Sequence, residues 1–182
     1  MTLRVEDIKL TDFRNYEHFE LAEIGPLTVL VGPNAIGKTN IIEGIQLMTS
    51  LTSFRHPTID QVIRRGAQVS RTESRITDGD RLLDVAMTLQ EHKRKYTLNG
   101  KAKRPADLKG LMPSVAFTPD DLELVKGSMS TRRAALDALG SQLSANHYLI
   151  KKDYEKVIRY KNRLLKEGTS AALLDSINET LV

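Results

Sequence analysis

The most pointed chemistry in this sequence lies in residues 32–39, which read GPNAIGKT. A nucleoside triphosphate carries several negative charges that must be met without long, mobile side chains. A run of backbone N–H groups feeding a helix N-terminus does this. Gly32 lets the chain leave a strand sharply, and Gly37 permits a backbone conformation that other residues resist. Lys38 is placed to reach the β- and γ-phosphates, and the Thr39 hydroxyl to coordinate Mg²⁺. A helix starting at Lys38 adds about half a positive charge at its first turn. The candidate nucleotide set is therefore Gly32, Pro33, Asn34, Ala35, Ile36, Gly37, Lys38, Thr39 and Asn40. The implied ligands are ATP and Mg²⁺, with Thr39 as the metal's side-chain ligand. The plainer alternative is a tight strand–helix turn with an incidental Lys-Thr pair.

The flanking pattern supports the phosphate cradle. Residues 27–31, LTVLV, form a short β-rich apolar run of the kind expected in a fully buried strand. After Lys38, Ile41, Ile42, Ile45 and Met48 follow helical spacing. Residues 2–10 alternate as a half-buried strand, and Phe19 and Leu21 mark a second one. A short helix is expected over 60–65, ending at Gly66. Alternation recurs over 68–98, Asn99-Gly100 signals a hairpin turn, and residues 113–117 suggest another strand. Beyond Pro119 the pattern is helical. Ile150, Tyr154, Val157, Ile158, Leu164 and Leu165 form an apolar stripe expected to be core, with basic residues opposite. The expected fold class is α/β, a P-loop NTPase with mixed β-sheets around the P-loop helix, followed by a helical segment. Residues 1–118 form the first unit and 119–182 the second.

Composition narrows the function classes without choosing among them. The chain has 182 residues, 40% hydrophobic and 27% charged, with a net charge of +4. That balance suits a soluble globular domain and permits, without requiring, a polyanionic partner. The absence of cysteine excludes disulfides and thiolate metal sites, and a reducing cytosol is the natural compartment. No apolar run approaches the roughly 18 residues needed to cross a membrane.

A hydrolytic P-loop site also needs an acid at the end of a second buried strand. The string AALLD, residues 171–175, matches that pattern by letter. However, Leu173, Leu174, Ile177 and Leu181 repeat with helical spacing, so Asp175 reads as a helix residue rather than a metal ligand. The sequence carries a phosphate cradle without the hydrolytic half.

At this point longer blocks become informative. IKLTDFRNYEHFEL followed by LTVLVGPNAIGKTNIIEGI resembles the opening of the RecF family, bacterial DNA-repair ATPases of the ABC type. The resemblance continues through SVAFTPDDLELVKGSMSTRRAALD and YEKVIRYKNRLLK and covers essentially the whole chain. Departures are mild: Met129 for a usual Pro, Tyr160-Lys161 for Gln-Arg, and Ala35 for a usual Gly. Length is the large one, since the family is about twice as long and carries its signature motif, Walker B acid and switch His in its second half. The chain therefore resembles the N-terminal half, expected to be inactive in hydrolysis alone. The resemblance implies an ABC-ATPase-like lobe in residues 1–118 and the start of a helical lobe in 119–182. It also implies an ATP-dependent homodimer, DNA binding at single-strand/double-strand junctions, and RecR and RecO as partners. By the same likeness, Arg14 and Asn15 lie near the nucleotide, although Arg14 reads equally well as a solvated turn residue. Asp120 and Asp121 fit either a nucleotide-sensing loop or, the favoured reading, a helix start capped at Thr118.

Two basic stretches could meet DNA. Residues 93–104, KRKYTLNGKAKR, place Lys93, Arg94, Lys95, Lys101, Lys103 and Arg104 around the hairpin turn, with Tyr96 among them. The helix 151–166 carries Lys151, Lys152, Lys156, Arg159, Lys161, Arg163 and Lys166. A solvated face explains either run equally simply. The alternative function is a P-loop small-molecule kinase; the length suits one, but no Arg-rich lid follows the loop.

Overall fold

The computed structural model describes residues 3–168 and 171–179. The alternating N-terminal segment forms β1 (Arg4–Phe13), which turns at Arg14-Asn15 into β2 (Tyr16–Leu21). The later alternating stretches give β3 (Val69–Thr77), β4 (Leu82–Gln90), β5 (Lys93–Leu98) and β6 (Lys101–Lys103). These six strands make one antiparallel sheet in the order β2-β1-β3-β4-β5-β6. Its core face carries Ile8 and Leu10 from β1, Ile76 from β3, Val85, Met87 and Leu89 from β4, and Tyr96 from β5, all buried. Its other face is charged, with ion pairs Lys9–Glu20, Arg71–Glu73 and Arg75–Asp84.

Helix α1 (Lys38–Thr49) lies on the core face against β1, β3 and β4. Its approach is close because Gly44 has no side chain: a Cβ there would stand 2.7 Å from Leu10 Cδ2. β3 helps by presenting Ser70, Thr72 and Ser74 rather than large residues to this layer. Ser70 and Ser74 donate to the β1 carbonyls of Thr11 and Asp7. The short helices α2 (Ile59–Val62) and α3 (Pro105–Leu108) bury Val62 and Leu108 against the same core.

Helices follow a 3₁₀ turn at Pro119–Leu122: α4 (Glu123–Lys126), α5 (Met129–Leu143), α6 (Ala145–Glu167) and α7 (Ala171–Glu179). Ser128 caps α5 by accepting from the Thr131 N–H, and Ser144 caps α6 by accepting from the His147 N–H.

Four expectations change here. Residues 27–31 belong to no strand, and Leu27, Val29 and Val31 are 85%, 71% and 89% exposed rather than buried. Residues 113–117 are likewise unpaired, with Val115 and Phe117 exposed. A strand needs ladder partners for its N–H and C=O groups, and no described strand lies beside either segment. The α/β class stands, but the expected mixed sheets reduce to one antiparallel sheet among the described residues. The fourth change concerns α6, where the apolar stripe is not core: Leu164 is buried, whereas Ile150, Tyr154 and Leu165 are exposed.

Candidate nucleotide site

The turn that leads into α1 has the backbone its sequence requires. Gly37 adopts φ 113° and immediately precedes α1. A Cβ on Gly37 would stand 2.6 Å from the Tyr16 hydroxyl and 2.8 Å from Asn15 Oδ1, so both conformation and space demand glycine. Ala35 sits at φ 65°, a left-handed conformation that costs a non-glycine residue roughly 1 kcal/mol. The Lys38 ammonium folds back into the loop and donates to the Gly32 and Pro33 carbonyls, each at 2.7 Å. No side chain caps α1 and no acid occupies its first turn. The first N–H groups of the helix are therefore left to meet an anion.

Asn34, Ala35, Gly37, Lys38, Thr39 and Asn40 line an open depression of about 280 Å³. Arg55 joins them and none of the lining residues is acidic. An ammonium, a hydroxyl and uncapped helix N–H groups around one concave surface fit a phosphate chain with its cation. Lys38 would hold the phosphates and Thr39 would supply the metal's hydroxyl ligand. Gly32, Pro33 and Ile36 complete the loop, contributing carbonyls that Lys38 and Asn15 engage.

The β1–β2 turn grips this loop from beneath. Asn15 Nδ2 donates to the Ile36 carbonyl at 3.0 Å, and Asn15 Oδ1 accepts from Asn40 Nδ2 at 2.7 Å. The Tyr16 hydroxyl reaches the same Ile36 carbonyl at 3.4 Å. Arg14 turns inward instead of standing in solvent. Its Nε and Nη2 donate to both oxygens of Glu43, at 2.9 and 2.7 Å, and its Nη1 donates to the Gln61 carbonyl at 2.6 Å.

Glu43 is the group the sequence reading missed. It is fully buried in α1 and also accepts from Ser53 Oγ at 2.6 Å and from Arg55 Nη1 at 3.3 Å. Burial opposes its charged form. The hydrogen bonds from Arg14 and Ser53 and the two arginine charges outweigh that, holding the carboxyl below the usual glutamate range. A signal was present: Glu43 is the sole charged residue across positions 39–54. An isolated acid in such an apolar run must find cations elsewhere in the fold.

The RecF/RecN/SMC N terminal domain pattern matches residues 4–145. The chain belongs to this family. It is 33% identical over 180 residues to the DNA replication and repair protein RecF of Paenarthrobacter aurescens, covering 97% of this chain and 45% of that protein. The chain thus spans a little under half the length of the curated RecF relatives it matches. Among solved structures it superposes on RecF-ATPγS, a recombination mediator protein of the RecFOR pathway, with a TM-score of 0.91. That match has 25% identity and covers 99% of this chain and 50% of the other. The SMC head domain from Thermotoga maritima shares the fold, with a TM-score of 0.54, 20% identity, and coverage of 69% of this chain and 51% of the other. The family match spans the loop, the β1–β2 turn and α1.

The candidate DNA residues do not form one surface in this RecF-like half. Lys93 and Lys95 point to the charged side of the sheet. Arg94, Lys101 and Lys103 share the core side with Tyr96 and Leu98, as the pairings Tyr96–Lys103 and Leu98–Lys101 require. Tyr96 is buried and unavailable for stacking on a base; burial pushes its hydroxyl pKa up, with Arg94 pulling against it. Arg104 is engaged with Asp107, at 2.9 Å, at the start of α3. On α6, Lys151 pairs with Asp137 and Glu155, and Arg159 with Glu155. Asp121 accepts from the Thr118 N–H and hydroxyl, which is the helix-start role. Asp175 lies exposed within α7, far in character from a strand-end metal ligand.

Proposed function

We propose that this chain is the nucleotide-gripping half of a RecF-type, ATP-switched DNA-repair protein. Residues 32–40 hold ATP with Mg²⁺, and Arg14 and Asn15 fix the loop in its gripping shape. The observation that carries this reading is the Asn15 side chain, which bonds both the Ile36 carbonyl and Asn40 and so ties β1–β2 to the loop. Residues 1–118 serve as the ATPase lobe and 119–182 as the start of a helical lobe.

Lys38 would exchange its two loop carbonyls for phosphate oxygens, a stronger charge-assisted contact. The uncapped N–H groups of α1 would face the same phosphates. Hydrolysis needs an acid near the metal, and none lines the depression. The chain alone therefore binds nucleotide without appreciable turnover. The names of its relatives support a role in DNA replication and repair. In the whole protein the reading extends to an ATP-dependent homodimer, to DNA at single-strand/double-strand junctions and to RecR and RecO. The exposed cations Lys93, Arg94, Lys95, Lys101, Lys103 and Arg104 are the DNA-contact candidates.

Calorimetric titration of Mg-ATP into the wild-type chain and Lys38→Ala tests the grip. A loss of affinity of at least tenfold in the variant is expected, and equal affinity would refute the assignment. Sustained, Lys38-dependent hydrolysis by the pure chain would overturn the division between grip and turnover. Phosphate transfer to a small-molecule acceptor would favour the kinase alternative.

A further inference from the structure

The contacts beneath the loop close into a ring. Glu43 Oε2 accepts from Arg55 Nη1 at 3.3 Å, and the same Nη1 donates to Asn40 Oδ1 at 2.7 Å. Asn40 Nδ2 donates to Asn15 Oδ1 at 2.7 Å. One peptide bond leads from Asn15 to Arg14, which returns to both Glu43 oxygens. Every other link is a side-chain contact among three separate segments: the β1–β2 turn, α1 and residues 53–55. The ring touches the loop at the Ile36 carbonyl, through Asn15, and at Asn40, one residue after Thr39.

We infer that Glu43 is a positioning residue for the nucleotide site, holding Arg14 and Arg55 so that Asn15 and Asn40 set the conformation of residues 36–40. This rests on the proposed nucleotide role of the loop. Core packing alone does not explain it. A carboxylate with zero exposure is costly to bury, and an apolar residue would fill the same place on α1 without that cost. What the carboxylate adds is direction. Its two oxygens accept four donors from three side chains, and two of those side chains lead to the loop. Arg55 is the lever on the open side, since it is part-exposed at 39% and lines the depression while bound to Glu43. Ser53 braces the carboxylate from the same segment, fixing where Arg55 starts. Loss of the Glu43 charge leaves two guanidinium groups free to leave their positions. The Asn40 and Asn15 amides then lose their fixed orientation, and the loop carbonyl at Ile36 loses its shorter hydrogen bond, leaving only the Tyr16 hydroxyl at 3.4 Å.

The test compares wild type, Glu43→Gln, Arg55→Ala and Asn15→Ala in two readouts. The first is amide hydrogen exchange over residues 36–41 in the protein without nucleotide. Glu43→Gln should speed exchange there at least fivefold while the β3–β4 amides keep their protection. The second is Mg-ATP affinity. Glu43→Gln and Asn15→Ala should each weaken it about tenfold, and the double variant should be no weaker than the worse single, because both act through one ring. Full additivity, or unchanged exchange at 36–41 together with unchanged affinity, overturns the inference. If Glu43→Gln does not fold, Arg55→Ala carries the same expectation through the exposed limb, and an unaltered 36–41 exchange rate in it is equally fatal. If wild type and Lys38→Ala bind ATP alike, the nucleotide reading fails, while the exchange measurement still decides whether Glu43 positions the loop.

Discussion

Two apolar stretches of similar composition meet opposite fates. Residues 85–89, VAMTL, put Val85, Met87 and Leu89 into the core, and their backbone is paired on both sides, with β3 and β5. Residues 27–31, LTVLV, leave Leu27, Val29 and Val31 in solvent, with no ladder beside them. β propensity alone does not separate the two; the presence of partners for the backbone does. A residue type prefers a pleated, half-buried surface only where such a surface exists.

The contrast can be broken by mutation. Met87→Ala removes a buried side chain from a strand paired on both sides and should cost about 2–5 kcal/mol in chemical denaturation. A loss below about 1 kcal/mol would mean that the sheet core is looser than its burial implies. Glu43→Ala should cost about 2–3 kcal/mol, less than a fully enclosed ion pair, because Arg55 can reach water. Gly37→Ala should cost about 1–3 kcal/mol and weaken nucleotide binding, because the left-handed φ and the Asn15–Tyr16 contacts both exclude a Cβ. Val29→Asp should change stability by no more than about 0.5 kcal/mol. A larger destabilisation would show that residues 27–31 are buried in solution and erase the contrast.

The Glu43 carboxylate also gives this comparison a pH dependence. Its folded-state pKa lies below the ordinary glutamate value of about 4.3. Folding therefore favours the charged form. The resulting stability is complete above about pH 4.3 and is lost as pH falls through the lower folded-state value. The stability gap between wild type and Glu43→Gln should narrow on acid titration. A gap that stays constant from neutral pH to about pH 3 would assign the effect to shape rather than charge.

What was legible in the sequence was local. The glycine spacing of residues 32–39, the alternation of β1 and β3–β4, the Asn99-Gly100 turn and the cap at Thr118 each depend on neighbours within a few positions. What was not legible depended on partners far along the chain. Arg14 and Glu43 are 29 residues apart, and Arg14 shows no sequence preference for burial until Glu43 is opposite it. The ring through Asn15, Asn40 and Arg55 likewise joins separate segments. The basic run 93–104 looks like one charged surface as a string. Strand alternation divides it between two faces and buries Tyr96 in the middle. The α6 stripe was legible as a stripe, but periodicity identifies a face without naming what covers it.

The most direct test of the nucleotide site is a hydrogen-exchange footprint of Mg-ATP on the whole chain. Protection should appear at the amides of residues 34–40 and vanish in Lys38→Ala. Protection confined to other segments, or a footprint at 34–40 that survives Lys38→Ala, would contradict the assignment of this loop as a phosphate cradle.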